Sequence, residues 1–285
     1  MRFIKQNIMW GAVAAAMGVS SYVIAEDAAV PTIAAADQAD QAHMQMPKNH
    51  GHQGAAAGHD KPHWGYVGDE APEKWGGLSE EWKLCSQGMQ QSPIDISTAT
   101  VTTLSDISVH YQPAPLSVVN NGHTIQVNYA PGSYINVAGK RYDLLQFHFH
   151  SPSEHTIGGK RFDMVAHLVH KNTEGKLGVI GVKMETGDSH PAIKTVFDNL
   201  PKSAGDKVEK TDVTINAADL LPGDLRYFNY VGSLTTPPCS EGVNWMVLAT
   251  PVKVSAEQVN TFRTLFPISA RPVQPVNGRV VTLDN

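Results

Sequence analysis

The chain has 285 residues, of which 41% are apolar, and this content is enough to bury the core of one large domain. Its formal net charge at pH 7 is −5, and it contains no basic stripe with interleaved aromatic residues. These features argue against nucleic acid as the main partner.

The N-terminus has the pattern of a secretory signal peptide. Arg2 and Lys5 precede an apolar stretch over residues 8–24, and small residues lead to a cleavage point after Ala25. The alternative is an uncleaved membrane anchor, but the apolar run is short for a membrane span and two adjacent serines interrupt it. We therefore predict a signal peptide over 1–25, no stable membrane anchor, and a mature protein that is periplasmic or secreted.

Residues 26–61 are rich in Ala, Gln, Asp, Gly and His and lack apolar periodicity, so they predict a flexible tether that builds no core. The histidines in or beside this segment are His43, His50, His52, His59 and His63. Capture of a metal by these side chains is one interpretation. A solvated linker is the favoured one, because no partner residues would hold such a site closed.

The chain contains two cysteines, Cys85 and Cys239. Export would place them in an oxidising compartment, where a single disulfide is the simplest interpretation and two buried free thiols are the alternative. A bridge that closes so long a loop would stabilise the fold by roughly 4 to 5 kcal/mol.

From residue 62 onward, short runs of Val, Ile, Thr, Tyr and Phe alternate with Gly, Pro and Asn, which predicts mainly strands. The clearest predicted strands cover residues 107–111, 124–129, 144–150, 164–170, 177–184 and 243–249. The clearest helix covers 256–266, where Ser255 fits an N-cap with Gln258 three residues later. We predict one mostly β (α+β) domain over 62–285, with a mostly antiparallel sheet and short peripheral helices.

Two histidines share one face of a predicted strand. Within residues 146–150 (QFHFH), alternation points His148 and His150 to one face and both phenylalanines to the other. A neighbouring antiparallel strand would carry His167 to the same place. Three neutral nitrogen ligands with an open fourth position are typical of catalytic zinc, which lowers the pKa of a bound water to about 7.

His170 is the remaining candidate for a fourth ligand. It lies three residues after His167, a spacing that turns it to the opposite face of the strand. A structural zinc site would be closed by a fourth ligand, so this placement favours a catalytic site. We interpret His170 as structural or solvated.

These residues stand among motifs that resemble those of the alpha-type carbonic anhydrases. In chain order the matching segments are Trp64-Gly65-Tyr66, Gln91-Ser92-Pro93-Ile94-Asp95-Ile96, Asn120-Asn121-Gly122-His123, Gln146 to His150, Ser153-Glu154-His155, His167-Leu168-Val169-His170, Gly232-Ser233-Leu234-Thr235-Thr236-Pro237-Pro238 and Arg271-Pro272-Val273-Gln274-Pro275. The resemblance implies the family fold, which has a large twisted central sheet. It also implies reversible hydration of CO2 to bicarbonate and a proton, with ester hydrolysis as a side activity.

The resemblance implies that Zn²⁺ is the cofactor and that His148, His150 and His167 bind it. It gives Thr235 and Glu154 a joint catalytic role. Thr235 would accept a hydrogen bond from zinc-bound hydroxide and donate its own proton to ionised Glu154, which orients the nucleophile. Outside this family, Glu154 would be interpreted as a salt-bridge residue and Thr235 as a turn residue.

His123, which follows Asn121-Gly122, matches the proton-shuttle position of the family. Histidine suits that role because it titrates near neutral pH and can reach buffer. On sequence alone, a lone exposed histidine would be interpreted as an ordinary surface residue. Tyr66 and Gln126 fall where the family lines the solvent side of its site with polar groups.

CO2 is linear and apolar, so its pocket should be apolar as well. The resemblance assigns that wall to Val169, Val179, Leu234, Val243 and Trp245. Sequence alone would place these residues in the core. Thr235 and Thr236 would contact the substrate, and Thr236 would help to hold bicarbonate.

The resemblance also pairs Cys85 with Cys239, as in exported members, and this bridge would brace the catalytic loop. His155 is a candidate buried partner of Tyr230, in a structural role. Related bacterial proteins suggest a homodimer, for which the sequence shows no interface.

One residue departs from the family pattern. Two positions before the third zinc histidine, the family commonly has a Glu that bonds the other nitrogen of that ligand, whereas this chain has Val165. Val165 shares a strand face with His167, so the position is right and the acceptor is missing. Loss of such a carboxylate costs roughly 10- to 100-fold in metal affinity or activity. We expect this chain to lose zinc more easily than family members that have that Glu.

Two other functions are alternatives to CO2 hydration. A metal-free binding or adhesion module should lack a ligand histidine, whereas all three are present. Metal delivery or sensing would depend on the tether, so deletion of residues 26–61 should abolish it and leave an enzyme active.

Overall fold

The computed structural model describes residues 62–285. The expected signal peptide over 1–25 and the tether over 26–61 lie outside the described residues. Within 62–285, no helix is both long and apolar enough to cross a membrane.

The described strands form a 13-stranded sheet and a 3-stranded sheet. In chain order they are β1 (Asp95–Ile96), β2 (Thr100–Thr102), β3 (Ser108–His110), β4 (Ala114–Asn120), β5 (Ile125–Asn128), β6 (Tyr134–Val137), β7 (Lys140–His150), β8 (Thr156–Ile157), β9 (Lys160–Arg161), β10 (Met164–Lys171), β11 (Leu177–Thr186), β12 (Lys207–Ile215), β13 (Tyr227–Ser233), β14 (Glu241–Leu248), β15 (Val252–Val254) and β16 (Thr282–Asp284). The helices are α1 (Trp75–Leu78), α2 (Leu84–Gln87), α3 (Pro191–Phe197) and α4 (Ala256–Leu265).

The large sheet has the strand order β12-β4-β5-β7-β10-β11-β14-β13-β16-β2. In addition, β15 pairs with β11, β6 pairs with β7, and β3 pairs with β6. Most neighbouring strands are antiparallel, but β11 runs parallel to β14 and β15, and β16 runs parallel to β2. The remaining strands, β1, β8 and β9, form the small sheet. The predicted class, mostly β (α+β) with a large twisted sheet and short peripheral helices, is confirmed.

Each predicted strand coincides with an observed one. The strand predicted at 144–150 is the second part of β7, which begins earlier because its first residues pair with β6 in a hairpin. The predicted helix is α4, and a reciprocal capping box begins it. Ser255 Oγ accepts the N–H of Gln258 at 3.2 Å, and Gln258 Oε1 accepts the N–H of Ser255 at 2.9 Å.

The two faces of β7 have different surroundings. Phe147 and Phe149 point into the main core, where Phe149 packs edge-on against Phe197 of α3 and Phe262 of α4. The two histidines of the strand point to the opposite face, as alternation requires. Burial of each phenylalanine stabilises the fold by about 1.5–3 kcal/mol. The packing of these two side chains therefore holds in place the strand that carries the histidines.

Candidate active site

Three histidines meet on the face of the sheet opposite the main core. β10 pairs antiparallel with β7, and His167 lies directly opposite His148. One ring nitrogen from each of His148, His150 and His167 lies within 4.8 Å of the other two. This convergence follows from the alternation along β7 and from the register of β10.

In His148 and His150, the ring nitrogen that faces away from the other histidines, called the outer nitrogen below, is Nδ1. An oxygen acceptor binds it in each ring. The Nδ1–H of His148 donates to Gln146 Oε1 at 2.9 Å, and that of His150 donates to the carbonyl oxygen of Ser269 at 2.5 Å. Because these oxygens only accept, the proton of each neutral ring belongs on Nδ1 and Nε2 carries the lone pair. Nε2 of His150 is buried and has no hydrogen-bond partner within the described chain.

In His167 the roles of the two nitrogens are reversed: Nε2 is the outer nitrogen, and it has no oxygen acceptor in the described chain. Its Nδ1 lies 3.7 Å from Oε2 of Glu154, and Nε2 of His150 lies 3.5 Å from the same oxygen, so these two nitrogens face a common point. The other nitrogen of His167, Nε2, is buried, and no hydrogen-bond partner for it lies between residues 62 and 285. Val165, which is buried two residues earlier on the same strand, offers no acceptor.

Burial favours the neutral form of these imidazoles. Desolvation, and after it the nearby His150, lowers the pKa of His148 and that of His167 well below the usual value. A metal binds the lone pair of a neutral imidazole, so these rings can take up a cation without first releasing a proton.

Glu154 is buried beside the histidines and is held from one side. Its Oε1 accepts the backbone N–H of Arg271 at 3.0 Å, whereas its Oε2 has no hydrogen-bond partner in the described part of the chain. The Arg271 guanidinium is fixed by the carbonyl oxygens of Cys85 and Ser92 at 2.8 and 2.7 Å. Thr235 is also buried, but within residues 62–285 no hydrogen bond joins its hydroxyl to Glu154.

The segment that carries Thr235 is constrained on both sides. Before it, Gly232 packs so closely that a Cβ atom would lie 2.1 Å from Ser92 Oγ, so this position needs glycine. After it, the predicted disulfide between Cys85 and Cys239 links the loop to α2 across 154 residues of sequence. The bridge therefore braces the loop as well as the fold.

A cavity of about 160 Å³ opens beside the histidines. The expected site residues that line it are Tyr66, His123, Gln126, His148, His150, Val169, Leu234 and Thr236. The other residues expected in the apolar wall, Val179, Val243 and Trp245, are buried in one cluster with Val169, against which Leu234 packs. Part of the expected wall therefore faces the cavity, and the rest is core that supports it.

His123 lines the same cavity and is partly exposed. Gly122, whose φ of +87° favours glycine, makes the turn before it. The His123 ring stacks on Trp64 with centroids 3.7 Å apart and planes 8° from parallel. Burial and then His63 lower the pKa of His123, and Glu70 opposes them.

Two further buried histidines make hydrogen bonds away from this group. His155 Nε2 lies 2.6 Å from the Tyr230 hydroxyl, which is the expected pair. His170 uses both nitrogens, since Nε2 lies 2.6 Å from the Tyr111 hydroxyl and Nδ1 donates to the carbonyl oxygen of Gly178 at 3.2 Å. Burial lowers the pKa of His155 to about 3 and that of His170 to about 4. His170 has a structural role, in agreement with the interpretation from its spacing.

Sequence reasoning missed the groups that hold the site in place. Gln146 was detectable, because alternation puts it on the face of the two histidines that follow it. The carbonyl of Ser269 lies 119 residues from His150, and the backbone N–H of Arg271 lies 117 residues from Glu154. No local sequence pattern predicts these two hydrogen bonds. Trp64 belongs to one of the family motifs, but its stacking on His123 depends on the fold.

Comparison with known proteins places this site in a family. The model of the eukaryotic-type carbonic anhydrases matches residues 70–285. A carbonic anhydrase of Nostoc sp. is 46% identical over 223 residues, covering 76% of this chain and 84% of its own. One from Neisseria gonorrhoeae is 45% identical over 229 residues, covering 80% and 90%. The solved alpha-carbonic anhydrase of Thermovibrio ammonificans, in complex with the inhibitor sulfanilamide, aligns with a TM-score of 0.76 and 45% identity over 78% of this chain and 100% of that one.

A large mixed sheet brings three histidines together beside a cavity, so the protein is of the β-sheet class with a three-histidine group that could hold a metal ion. With the match over residues 70–285, the chain belongs to the eukaryotic-type, or alpha, carbonic anhydrase family. It is an enzyme of that family, whose members act on CO2 and bicarbonate.

Proposed function

We propose that the chain hydrates CO2 reversibly to bicarbonate and a proton, with a Zn²⁺ ion held by His148, His150 and His167. The observation that carries this proposal is the convergence of three ring nitrogens within 4.8 Å beside an open cavity. The buried Nε2 of His150, which lacks a partner in the described chain, fits a lone pair that awaits a metal.

The donor set suits zinc. Three imidazoles without a fourth protein ligand in residues 62–285 match the open arrangement of catalytic zinc sites. When bound there, Zn²⁺ supplies a Lewis acid and a water that ionises near neutral pH. The chain keeps two of the rings in fixed orientation through Gln146 and the carbonyl of Ser269.

Glu154 and Thr235 would orient the attacking oxygen. Oε1 of Glu154 is committed to the backbone N–H of Arg271, so Oε2 is the oxygen available for the Thr235 hydroxyl proton. With its own proton directed to Glu154, Thr235 would present a lone pair and favour only groups that can donate a hydrogen bond to it. This selects the orientation of the nucleophile toward the carbon of CO2.

The apolar part of the cavity suits CO2. Val169 and Leu234 line the cavity and would contact the substrate. The residues that would support this wall from the core are Val179, Val243 and Trp245. Thr236, which also lines the cavity, would bind bicarbonate together with Thr235. The same nucleophile would hydrolyse small esters as a side activity.

His123 would carry the proton out of the site after each turnover. It lines the cavity, is partly exposed, and is a residue type that titrates near neutral pH. In His123→Ala, CO2 hydration at low buffer concentration should fall, and added imidazole should restore it. Proton transfer at the unchanged rate in this variant would reject the role.

Stopped-flow CO2 hydration tests the main proposal. The natural chain should show a zinc-dependent rate that His148→Ala lacks. His110→Ala is the matched control, since His110 is an exposed histidine on β3 that stacks on Tyr134. A natural chain without a zinc-dependent rate above buffer would overturn the assignment.

Export remains part of the proposal. The disulfide supports a location outside the cytosol, in the periplasm or beyond. Removal of a signal peptide over 1–25 predicts that the exported protein begins at Glu26, and N-terminal sequencing of an intact Met1 would contradict it. The solvated tether over 26–61 predicts unchanged turnover when it is deleted. The homodimer stays a prediction.

A further inference from the structure

A second histidine, His63, lies next to the proposed shuttle, and the two residues line a separate surface cavity. The rings of His63 and His123 have centroids 5.9 Å apart. Nδ1 of His63 lies 2.9 Å from Oε2 of Glu70, and the two side chains are 71% and 47% exposed. The pair therefore borders the shuttle on one side and bulk solvent on the other.

Glu70 selects the form of the His63 ring that can accept a proton. A carboxylate only accepts hydrogen bonds, so the His63 nitrogen that faces it must carry hydrogen. In the neutral ring the other nitrogen, Nε2, then holds the lone pair. After that nitrogen takes up a proton, the carboxylate still accepts the hydrogen bond from Nδ1. The same arrangement makes a carboxylate-bound histidine an effective base in catalytic triads.

The segment that carries His63 is held in place. The backbone carbonyl of Glu70 accepts the N–H of Gly65 at 2.8 Å and the indole N–H of Trp75 at 2.9 Å. Trp64, the residue after His63, is stacked on His123. These contacts keep the Glu70–His63 pair beside His123.

We propose that His63, oriented by Glu70, is a second proton-relay residue that takes protons from His123 and passes them to buffer. The step conserves atoms and charge. A proton leaves a ring nitrogen of protonated His123 through a water and arrives at Nε2 of His63. The hydrogen on Nδ1 of His63 stays on that nitrogen and is donated to Glu70, and Nε2 then releases its proton to a buffer base. This relay rests on the proposed function, since it needs a proton from CO2 hydration.

Oxygen-18 exchange between CO2 and water at chemical equilibrium tests the relay on the full chain. The method separates the rate of CO2–bicarbonate interconversion from the rate at which labelled water leaves, which requires proton transfer. In His63→Ala, water release at low buffer should fall by about tenfold, which is less than the roughly 100-fold or more that a positioned acid–base group contributes. Interconversion should stay unchanged, and imidazole should restore water release. Glu70→Gln should give a smaller loss, and His110→Ala none.

The order of the relay is tested in a second background. If His63 acts after His123, His63→Ala should add nothing to His123→Ala, whereas a further loss would show two parallel paths and overturn the series. Unchanged water release in His63→Ala alone would also overturn the proposal. So would a loss that imidazole does not restore, since that result indicates a role in packing. If the natural chain shows no zinc-dependent interconversion, the proposed function itself fails, which is a distinct result.

Discussion

His148 and His150 each direct an outer ring nitrogen to an oxygen acceptor, whereas the outer nitrogen of His167 is buried without one in the described chain. All three rings come from neighbouring strands of one sheet, and register brings them together equally well. The difference lies in the supporting groups, because Val165 stands where an acceptor would serve His167. Strand pairing therefore sets where a ligand lies, and a side chain nearby sets how firmly it is held.

The largest effect should come from removal of a well-supported ligand. His150→Ala deletes the ring held by Ser269, and zinc-dependent CO2 hydration should fall by about 1,000-fold or more, because the metal and its ionisable water are lost. Stopped-flow kinetics and metal analysis of the purified protein measure the two losses. His170→Gln, at a buried histidine outside the group, should keep its zinc. Retention of full zinc content in His150→Ala would contradict the assignment of the ligands.

A carboxylate at position 165 should remove the difference between the ligands. In Val165→Glu, the new side chain can accept from Nε2 of His167, and zinc release into a chelator should slow by roughly 10- to 100-fold. The apolar control Val165→Leu should release zinc at the natural rate. Register places Lys183 opposite residue 165, so Val165→Glu should also be measured with Lys183→Met to exclude a competing ion pair. Equal release rates in all these proteins would contradict the prediction that an acceptor at position 165 strengthens zinc binding.

A histidine with both nitrogens bonded should matter for stability and not for metal. Burial lowers the pKa of His170 to about 4, while an unfolded histidine has a pKa of about 6.5. Between these values the unfolded chain binds more protons, so the stabilising contribution is complete above pH 6.5 and is lost as pH falls toward 4. From pH 7 to pH 5 the loss should be about 2 kcal/mol.

Urea unfolding of the zinc-free protein at pH 7 and pH 5 measures this contribution. The natural chain should lose about 2 kcal/mol more than His170→Gln over that interval. His155, also neutral by burial, is present in both proteins, so its contribution cancels. Identical losses in the two proteins would mean that His170 does not titrate as its surroundings require.

The smallest effect should come from making a supported ligand resemble His167. Gln146→Leu removes the acceptor of His148 Nδ1, and zinc release should accelerate by about tenfold. Gln126→Leu is the matched control, since Gln126 also lines the cavity but donates its amide to Asn128. An unchanged release rate in Gln146→Leu would show that the acceptors of the outer ring nitrogens do not control metal retention. The difference drawn between His167 and the other two ligands would then have no effect on zinc binding.

Much of the fold was predictable because strand periodicity and capping are local. Alternation along β7 assigned the phenylalanines and the histidines to opposite faces, and Ser255 with Gln258 located the start of α4. The start of β7 was missed because residues 140–143 are mainly polar and owe their strand conformation to pairing with β6. The mainly exposed β12 has no apolar alternation, so its pairing with β4 defines it as a strand.

The site was predictable as a set of residues and less so as a network. The three histidines, His123 and the two cysteines could be named from motifs and residue chemistry. The bonds that position them depend on groups brought together only by folding, such as the carbonyl of Ser269 and the backbone of Arg271. A missing partner could be inferred at Val165 from the family resemblance, because the family commonly has a Glu at this position and two residues along a strand return to the same face.

Titration of the zinc-free chain with Zn²⁺, followed by stopped-flow CO2 hydration, tests the central claim most directly. The account predicts no rate above buffer without metal, a linear rise to one equivalent per chain, and a plateau thereafter. A full rate in the zinc-free protein, or a rate that keeps rising through several equivalents, would contradict a single active metal at His148, His150 and His167.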